Sequence, residues 1–250
     1  MMDDVSTWEI FVWLVLPYVC LTTFVLGHVW RYRYDKFGWT SRSSQMYENR
    51  ILRWANPMFH FGILAVVLGH VVGLGVPQTW TDAIGLPEGV YHFFAVLLGV
   101  IAGAFTLVGL VGLLYRRRFT KSVLGATTRM DKLMYLMLVV TILAGLVNTG
   151  TAVEGSYNYR EGVSLWFRSI FAFTPDPNYM IGAPINFQIH AVLGILLFAL
   201  WPFTRLVHAF TAPLNYLFRP LIVYRSRDDH EGSRARRRGW DKVDTIPRRR

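Results

Sequence analysis

Residues 56–73 read NPMFHFGILAVVLGHVVG, an apolar run that contains two histidines, His60 and His70. A helix needs roughly 20 such residues to cross a bilayer core about 30 Å thick. Ionisable side chains are expensive inside a membrane, so a histidine within a spanning helix indicates a functional site. The run therefore predicts a membrane helix with two candidate functional residues. For either histidine alone, a packed core side chain is the alternative.

Four other stretches have the same apolar character, which gives five predicted spans over 8–30, 55–76, 91–115, 132–150 and 187–208. Hydrophobic residues make up 53% of the 250 positions and are concentrated in these stretches. Because each stretch is continuously apolar, it closes its own backbone hydrogen bonds as a helix and does not have the alternation of a barrel strand. The predicted fold class is all-α integral membrane, with five transmembrane helices.

The basic residues are concentrated outside the apolar stretches, in two loops and at the C-terminal end. Of the 26 Lys and Arg residues, six lie in 31–53, six in 116–132 and twelve at or beyond Arg205. The positive-inside rule then places the N-terminus outside and the C-terminus in the cytoplasm. We interpret the net charge of +10 as this topology signal and expect no nucleic-acid partner. The chain divides into a membrane domain, 1–220, and a basic cytoplasmic tail, 221–250, which we expect to be flexible.

The candidate chemistry lies in four histidines. His60 and His70 bracket the second predicted helix, and His190 and His208 bracket the fifth. These helices run in opposite directions, so His60 and His208 share the inner half of the membrane, while His70 and His190 share the outer half. His60 and His70 are about 15 Å apart along a helix, so one metal ion cannot bind all four.

Two imidazoles at each level leave a bare metal ion under-coordinated, whereas a porphyrin requires only axial ligands from the protein. The pattern therefore predicts two bis-histidine haems b between helices two and five. The only cysteine, Cys20, excludes an internal disulfide, an iron–sulfur cluster held by this chain and covalent haem attachment.

The surroundings of the four histidines lead to further expectations. The separation of 18 residues on helix five is five full turns, so His190 and His208 are expected to lie on one face, about 27 Å apart along the axis. Arg205, one turn before His208, is a candidate partner for a haem propionate, with a topology charge as the alternative. Small residues near the ligands allow either a flat macrocycle or a neighbouring helix to approach: Gly62, Gly69, Gly73 and Gly194.

Several runs resemble the γ subunit of respiratory nitrate reductase, the membrane cytochrome b of that complex. They are RYRY at 31–34, SSQ at 43–45, the run at 56–73 quoted above, ATT at 126–128, and FQIHAVLGILLFALWPFTRLVHAFTAPLNYL at 187–217. The resemblance covers roughly residues 8–220 and includes both histidine spacings. The Arg-rich tail lies outside it.

The resemblance implies a subunit in the cell membrane that oxidises menaquinol or ubiquinol near the outer face. Electrons would pass through a distal and then a proximal haem b to a cytoplasmic iron–sulfur β subunit and a molybdenum-containing α subunit, where nitrate becomes nitrite. Carried over by position, His70 and His190 would bind the distal haem, and His60 and His208 the proximal one.

The resemblance also implies a quinol site beside the distal haem, formed here by Gly69, His70, Tyr91 and His92. Family members carry a lysine at the outer start of helix three, where this chain reads Val90-Tyr91-His92. A phenol and an imidazole can both hydrogen-bond a quinol oxygen, and His92 can accept a proton. The alternative is an interfacial aromatic anchor at Tyr91 and a solvated helix start at His92.

Two other classes of protein compete with this interpretation. The anchor of a formate dehydrogenase or hydrogenase is also a dihaem cytochrome b, but the spacing of the histidines on helices two and five argues for the nitrate reductase family. A transporter would predict no haem absorption. In the loop 151–186, Val163–Phe171 is predicted to be a short amphipathic helix, with Trp166 and Phe167 suited to the membrane interface.

Overall fold

The computed structural model describes residues 5–35, 37–39, 44–152 and 157–211, and these residues contain helices and no strand. Five of the helical segments are long and apolar enough to cross a membrane. We call them spans 1 to 5: Thr7–Tyr34, Leu52–Gly75, Glu88–Phe119, Arg129–Ala152 and Ile185–Phe203. The number of spans agrees with the prediction. The predicted tail, 221–250, and the end of the membrane domain, 212–220, lie outside the described residues.

Span 1 contains three helical segments: Thr7–Ile10, a π-helical turn at Phe11–Val15, and Leu16–Tyr34. Ser6 caps its start in a capping box with Glu9. Pro17 has no N–H to donate to the carbonyl of Trp13 four residues earlier. That carbonyl instead accepts a hydrogen bond of 2.9 Å from the indole N–H of Trp166. The proline thus frees a backbone acceptor that anchors the loop following span 4.

Span 2 packs along span 3. The contact depends on small residues, because a Cβ at Gly62 would lie 2.6 Å from the backbone nitrogen of Thr106, and one at Gly112 would lie 2.8 Å from the Cβ of Ala55. Gly62 therefore serves helix packing, which was one of the two roles considered for it. Span 5 packs instead against spans 1 and 4.

The α-helix of span 5 covers Ile185–Leu200, followed by a 3₁₀ turn at Trp201–Phe203 and a second 3₁₀ segment at Arg205–Phe210. The expectation of one continuous helix to His208 is therefore wrong. Pro202 has no N–H to donate, which interrupts the α-helical hydrogen bonding, although Trp201 before it keeps α backbone (φ −49°, ψ −53°). Thr204 then has extended backbone (φ −117°, ψ −178°), and its hydroxyl caps the second segment through the N–H of Leu206.

Among the described residues, four short helices connect the spans: Gln78–Ala83, Lys121–Gly125, Val163–Phe171 and Asn178–Ile181. The third begins and ends as predicted. However, its Trp166 is only 3% exposed and meets Trp13 edge to face, with ring centroids 5.6 Å apart. The expected role of Trp166 at the membrane interface is therefore wrong, because this face of the helix completes the protein core.

Candidate functional site

The four predicted histidines form two facing pairs. In the 60/208 pair, the ring centroids of His60 and His208 are 5.8 Å apart. In the 70/190 pair, the centroids of His70 and His190 are also 5.8 Å apart. One member of each pair lies on span 2, and the other lies on span 5 or the 3₁₀ segment after it. The structure thus brings together the partners predicted from depth along the helices.

Three of the four rings are oriented by backbone carbonyl groups. The Nδ1 atom of His60 lies 2.8 Å from the carbonyl oxygen of Asn56, and the Nδ1 atom of His70 lies 2.8 Å from the carbonyl oxygen of Val66. The Nδ1 atom of His208 lies 2.6 Å from the carbonyl oxygen of Arg205. A carbonyl oxygen only accepts, so Nδ1 carries the proton and Nε2 of the neutral ring keeps its lone pair. Histidines that bind a metal ion have this arrangement.

His190 is positioned by close packing against span 4. A Cβ added at Gly145 would lie 2.9 Å from Cε1 of His190. Only glycine therefore leaves room for the ring at this position. This contact could not be predicted from the sequence, because Gly145 lies on span 4, which contains no predicted ligand.

The spacing within each pair fits a shared axial site. Each axial imidazole contributes a metal–nitrogen bond of about 2 Å and a further distance of about 1 Å from that nitrogen to its ring centroid. Two imidazoles on opposite sides of one metal ion therefore have centroids about 6 Å apart. Within the described ranges, no group of three or more His, Cys, Asp or Glu side chains is arranged to hold a metal ion. Two imidazoles do not complete the four-coordinate shell of a bare zinc ion, whereas a macrocycle supplies its own equatorial nitrogens.

The space around the pairs also fits a flat group. In the described part of the chain, spans 2 and 5 face each other at the histidines without extensive helix–helix contact. A Cβ at Gly69, beside His70, or at Gly194, one turn after His190, would meet no atom within 4 Å. Gly73 differs, because the Tyr159 hydroxyl would lie 2.9 Å from its Cβ. These residues fit haem, with Gly69 and Gly194 on the open sides.

A part-buried polar cluster lies one helical turn from the 70/190 pair, where the Tyr159 hydroxyl approaches Gly73. The hydroxyl of Tyr91 is 3.3 Å from that of Tyr159, and the guanidinium of Arg160 lies over the Tyr91 ring at 4.0 Å from its centroid. Arg160, only 3% exposed, also donates a hydrogen bond of 2.8 Å to Glu88. Burial, followed by the hydrogen bond with Tyr91, raises the pKa of Tyr159 well above its usual range. Its phenol therefore stays neutral at physiological pH.

One face of the Tyr91 ring is therefore covered by the Arg160 guanidinium. The next residue on span 3, His92, is half-buried. Successive helical residues point about 100° apart, so the two side chains face different directions. Sequence reasoning missed Tyr159 and Arg160. The feature of the sequence that could have indicated this cluster is Arg160 itself. It is one of only two basic residues in the loops that follow spans 2 and 4, the other being Arg168.

Arg205 forms a bidentate ion pair with Asp131 at the start of span 4. Its Nε donates to Oδ1 at 2.6 Å, and its Nη2 donates to Oδ2 at 2.9 Å. Nη2 also donates to the carbonyl of Ala126 at 3.0 Å. Contact between Arg205 and a haem propionate stays a prediction, while the contact with Asp131 was not foreseen.

A family model described as nitrate reductase gamma subunit matches residues 9–227. The chain belongs to the nitrate reductase gamma subunit family. This γ-family chain is 42% identical over 216 residues to the nitrate reductase gamma chain of Bacillus subtilis, covering 86% of this chain and 97% of that protein. With the respiratory nitrate reductase 2 gamma chain of Escherichia coli it shares 36% identity over 226 residues, 88% of this chain and 97% of that one.

The γ-family chain is also 59% identical over 231 residues to the nitrate reductase-like protein NarX of Mycobacterium tuberculosis. That match covers 91% of this chain but only 35% of the relative, so the chain spans about a third of the length of NarX. Family membership confirms the resemblance drawn from the sequence. Together with the five spans, it establishes a multi-pass membrane protein.

Proposed function

We propose that this γ-family chain is the membrane cytochrome b subunit of a respiratory nitrate reductase. It oxidises quinol beside the 70/190 pair and delivers electrons toward iron–sulfur β and molybdenum-containing α subunits beside the 60/208 pair. The single observation that carries the proposal is the two histidine pairs, each with centroids 5.8 Å apart, at two levels between spans 2 and 5. The names of the Bacillus and Escherichia relatives support nitrate as the final electron acceptor.

In this proposal, His60 and His208 hold the proximal haem b, and His70 and His190 the distal one. Haem, when bound, supplies one-electron transfer. The chain orients each ligand: the carbonyls of Asn56 and Val66 keep the proton on Nδ1 of His60 and His70, which leaves Nε2 as the ligating atom. Haems held by histidines at two levels would let electrons cross the hydrocarbon core of the membrane, which otherwise blocks their passage.

Quinol would bind beside Gly69 and His70, near the polar cluster of Tyr91. Gly69 has open space in front of it, which would admit a planar ring. The Tyr91 hydroxyl can hydrogen-bond a quinol oxygen while Tyr159 holds it from the other side. His92 would accept a proton from the quinol through its imidazole. These two residues would replace the lysine of the family.

The proposed orientation has the N-terminus outside and the C-terminus in the cytoplasm, across the cell membrane. Three adjacent arginines, Arg116, Arg117 and Arg118, end span 3 on the side that would be cytoplasmic. The β and α subunits would then dock beside the 60/208 pair. Protons from quinol would leave outside while electrons move inward, so turnover would contribute to the membrane potential.

The proposal is tested in membranes that contain the assembled complex, under anaerobic conditions. Menadiol, a soluble quinol probe, is added first and nitrate second, while the b-type absorption bands are recorded. We expect the reduced bands to appear with menadiol and to disappear with nitrate. If menadiol produces no reduced bands, quinol oxidation is wrong. Bands that persist after nitrate contradict the assignment to nitrate reduction. The variant His70→Ala is the matched control, and it should slow the first step.

A further inference from the structure

One ligand of the 60/208 pair lies where helix geometry does not fix its direction. His208 is in the 3₁₀ segment Arg205–Phe210, separated from the α-helix of span 5 by the 3₁₀ turn Trp201–Phe203 and the extended residue Thr204. Such segments are short and have poorer hydrogen-bond geometry than an α-helix. A contact from outside the segment is therefore needed to hold the imidazole toward His60.

One such contact comes from span 4, beside the indole hydrogen bond from Trp201 to the carbonyl of Leu206 and the packing of Phe210 on span 1. Asp131 is only 2% exposed, and its two carboxylate oxygens each accept a hydrogen bond from the Arg205 guanidinium. This fork-to-fork geometry restricts both position and orientation. Asp131 is itself fixed, because Oδ2 also accepts a hydrogen bond of 2.9 Å from the backbone N–H of Thr128. Arg117 of span 3 lies 3.6 Å from the same oxygen.

The connection continues from Arg205 to the ligand. The backbone carbonyl of Arg205 accepts the hydrogen bond of 2.6 Å from Nδ1 of His208. The residue whose side chain is held by Asp131 therefore also sets the tautomer and ring orientation of His208. From these contacts we infer that Asp131 is a positioning residue for His208, acting through Arg205 to keep Nε2 directed at the haem between His60 and His208. This inference rests on the proposed function.

The inference gives Arg205 a different role from binding a propionate. If Arg205 acts through Asp131, then Asp131→Asn and Arg205→Lys impair the same haem in the same way, because each removes the bidentate pair. If Arg205 instead holds a propionate, Asp131→Asn leaves that haem unchanged. The two substitutions together therefore separate the roles.

The experiment uses the full chain in membranes and measures haem content, the midpoint potential of each haem and carbon monoxide binding after reduction. A haem with two histidine ligands has no open position for carbon monoxide, whereas loss of one ligand opens one. In Asp131→Asn and Arg205→Lys we expect the 60/208 haem to be lost, or to shift in potential and bind carbon monoxide. The 70/190 haem should remain, which shows that the chain has folded.

Glu48→Gln is the matched control. It removes the buried ion pair of 2.7 Å between Glu48 and Arg116, which contains no residue of span 5 or the segment after it. Both haems should keep their potentials in this variant. The inference is overturned if Asp131→Asn retains both haems with unchanged potentials and no carbon monoxide binding, or if Glu48→Gln has the same effect as Asp131→Asn. Absence of haem from the unsubstituted chain would instead overturn the proposed function.

Discussion

The two histidine pairs have the same separation but are held in different ways. In the 70/190 pair, both residues lie on regular α-helix, and the His190 ring fits against Gly145 of span 4. In the 60/208 pair, His208 lies beyond a helix break, and its segment is tied to span 4 by the ion pair of Arg205 with Asp131. The ring planes also differ, at 37° in the 70/190 pair and 67° in the 60/208 pair.

This difference shows that the same separation of two imidazole rings can be produced by two kinds of support. Close packing positions His190, so its placement is sensitive to added side-chain volume nearby. Hydrogen bonds and charge position His208. A substitution that adds one carbon should affect the first pair. One that removes a charge should affect the second.

The largest effect is expected from removing a ligand. His70→Ala should remove the haem of the 70/190 pair and leave the other, and His208→Ala should do the reverse, because each haem needs both axial ligands. Haem per chain and the reduced-minus-oxidised spectrum measure this outcome. His230→Ala is the control, since this histidine lies in the basic tail and belongs to neither pair. Loss of both haems from one ligand variant would show that the pairs are not independent.

A smaller effect is expected from filling the space beside His190. Gly145→Ala places a methyl group 2.9 Å from Cε1, and overpacking of this kind costs about 1–3 kcal/mol. We expect reduced occupancy of the 70/190 haem only, measured by redox titration. Gly150→Ala, on the same span, meets no atom within 4 Å and should behave as the unsubstituted chain. Equal effects of the two alanines would argue against the packing account of His190.

The proposed quinol site can be tested separately from the two proposed haem sites. Tyr91→Phe removes one hydroxyl, and a hydrogen bond worth about 1 kcal/mol corresponds to roughly a fivefold increase in KM for quinol. His92→Ala should lower kcat if the imidazole accepts a proton. Steady-state quinol oxidation measures both, with unchanged haem spectra as the control for folding. Unaltered kinetics in both variants would remove these residues from the quinol site.

The smallest effect concerns the ring planes. The angle between axial imidazole planes affects the anisotropy of the electron paramagnetic resonance signal of low-spin ferric haem. The 60/208 pair, with the larger angle of 67°, should give the more anisotropic signal. His208→Ala should abolish that signal and leave the other. Loss of the less anisotropic signal in this variant would reverse the assignment.

The number of spans and the partners within each pair could be predicted from the sequence, because apolar length and depth along antiparallel helices are local properties. The break after Leu200 was missed since Pro202 lies within an apolar run that reads as one helix. The roles of Trp166 and Asp131 were also missed. Trp166 is buried against Trp13, and Asp131 pairs with Arg205, so both roles depend on contacts between distant parts of the chain.

The candidate quinol site shows the same limit. Tyr91 could be proposed from its position at the start of span 3, but its partner Tyr159 comes from a loop 68 residues later. No periodic pattern connects the two. The ion pair of Arg205 with Asp131 and the contact of Tyr91 with Tyr159 both depend on tertiary structure, which a local sequence pattern does not specify.

The central claim is that each histidine pair binds one haem. Its most direct test is haem quantitation on the purified chain, combined with a reduced-minus-oxidised spectrum. We predict two protohaems per chain with the absorption bands of six-coordinate, low-spin b-type haem. The account is contradicted if the chain folds in the membrane but contains no haem. It is also contradicted if the chain contains only one haem and each of the four histidine substitutions removes that same haem.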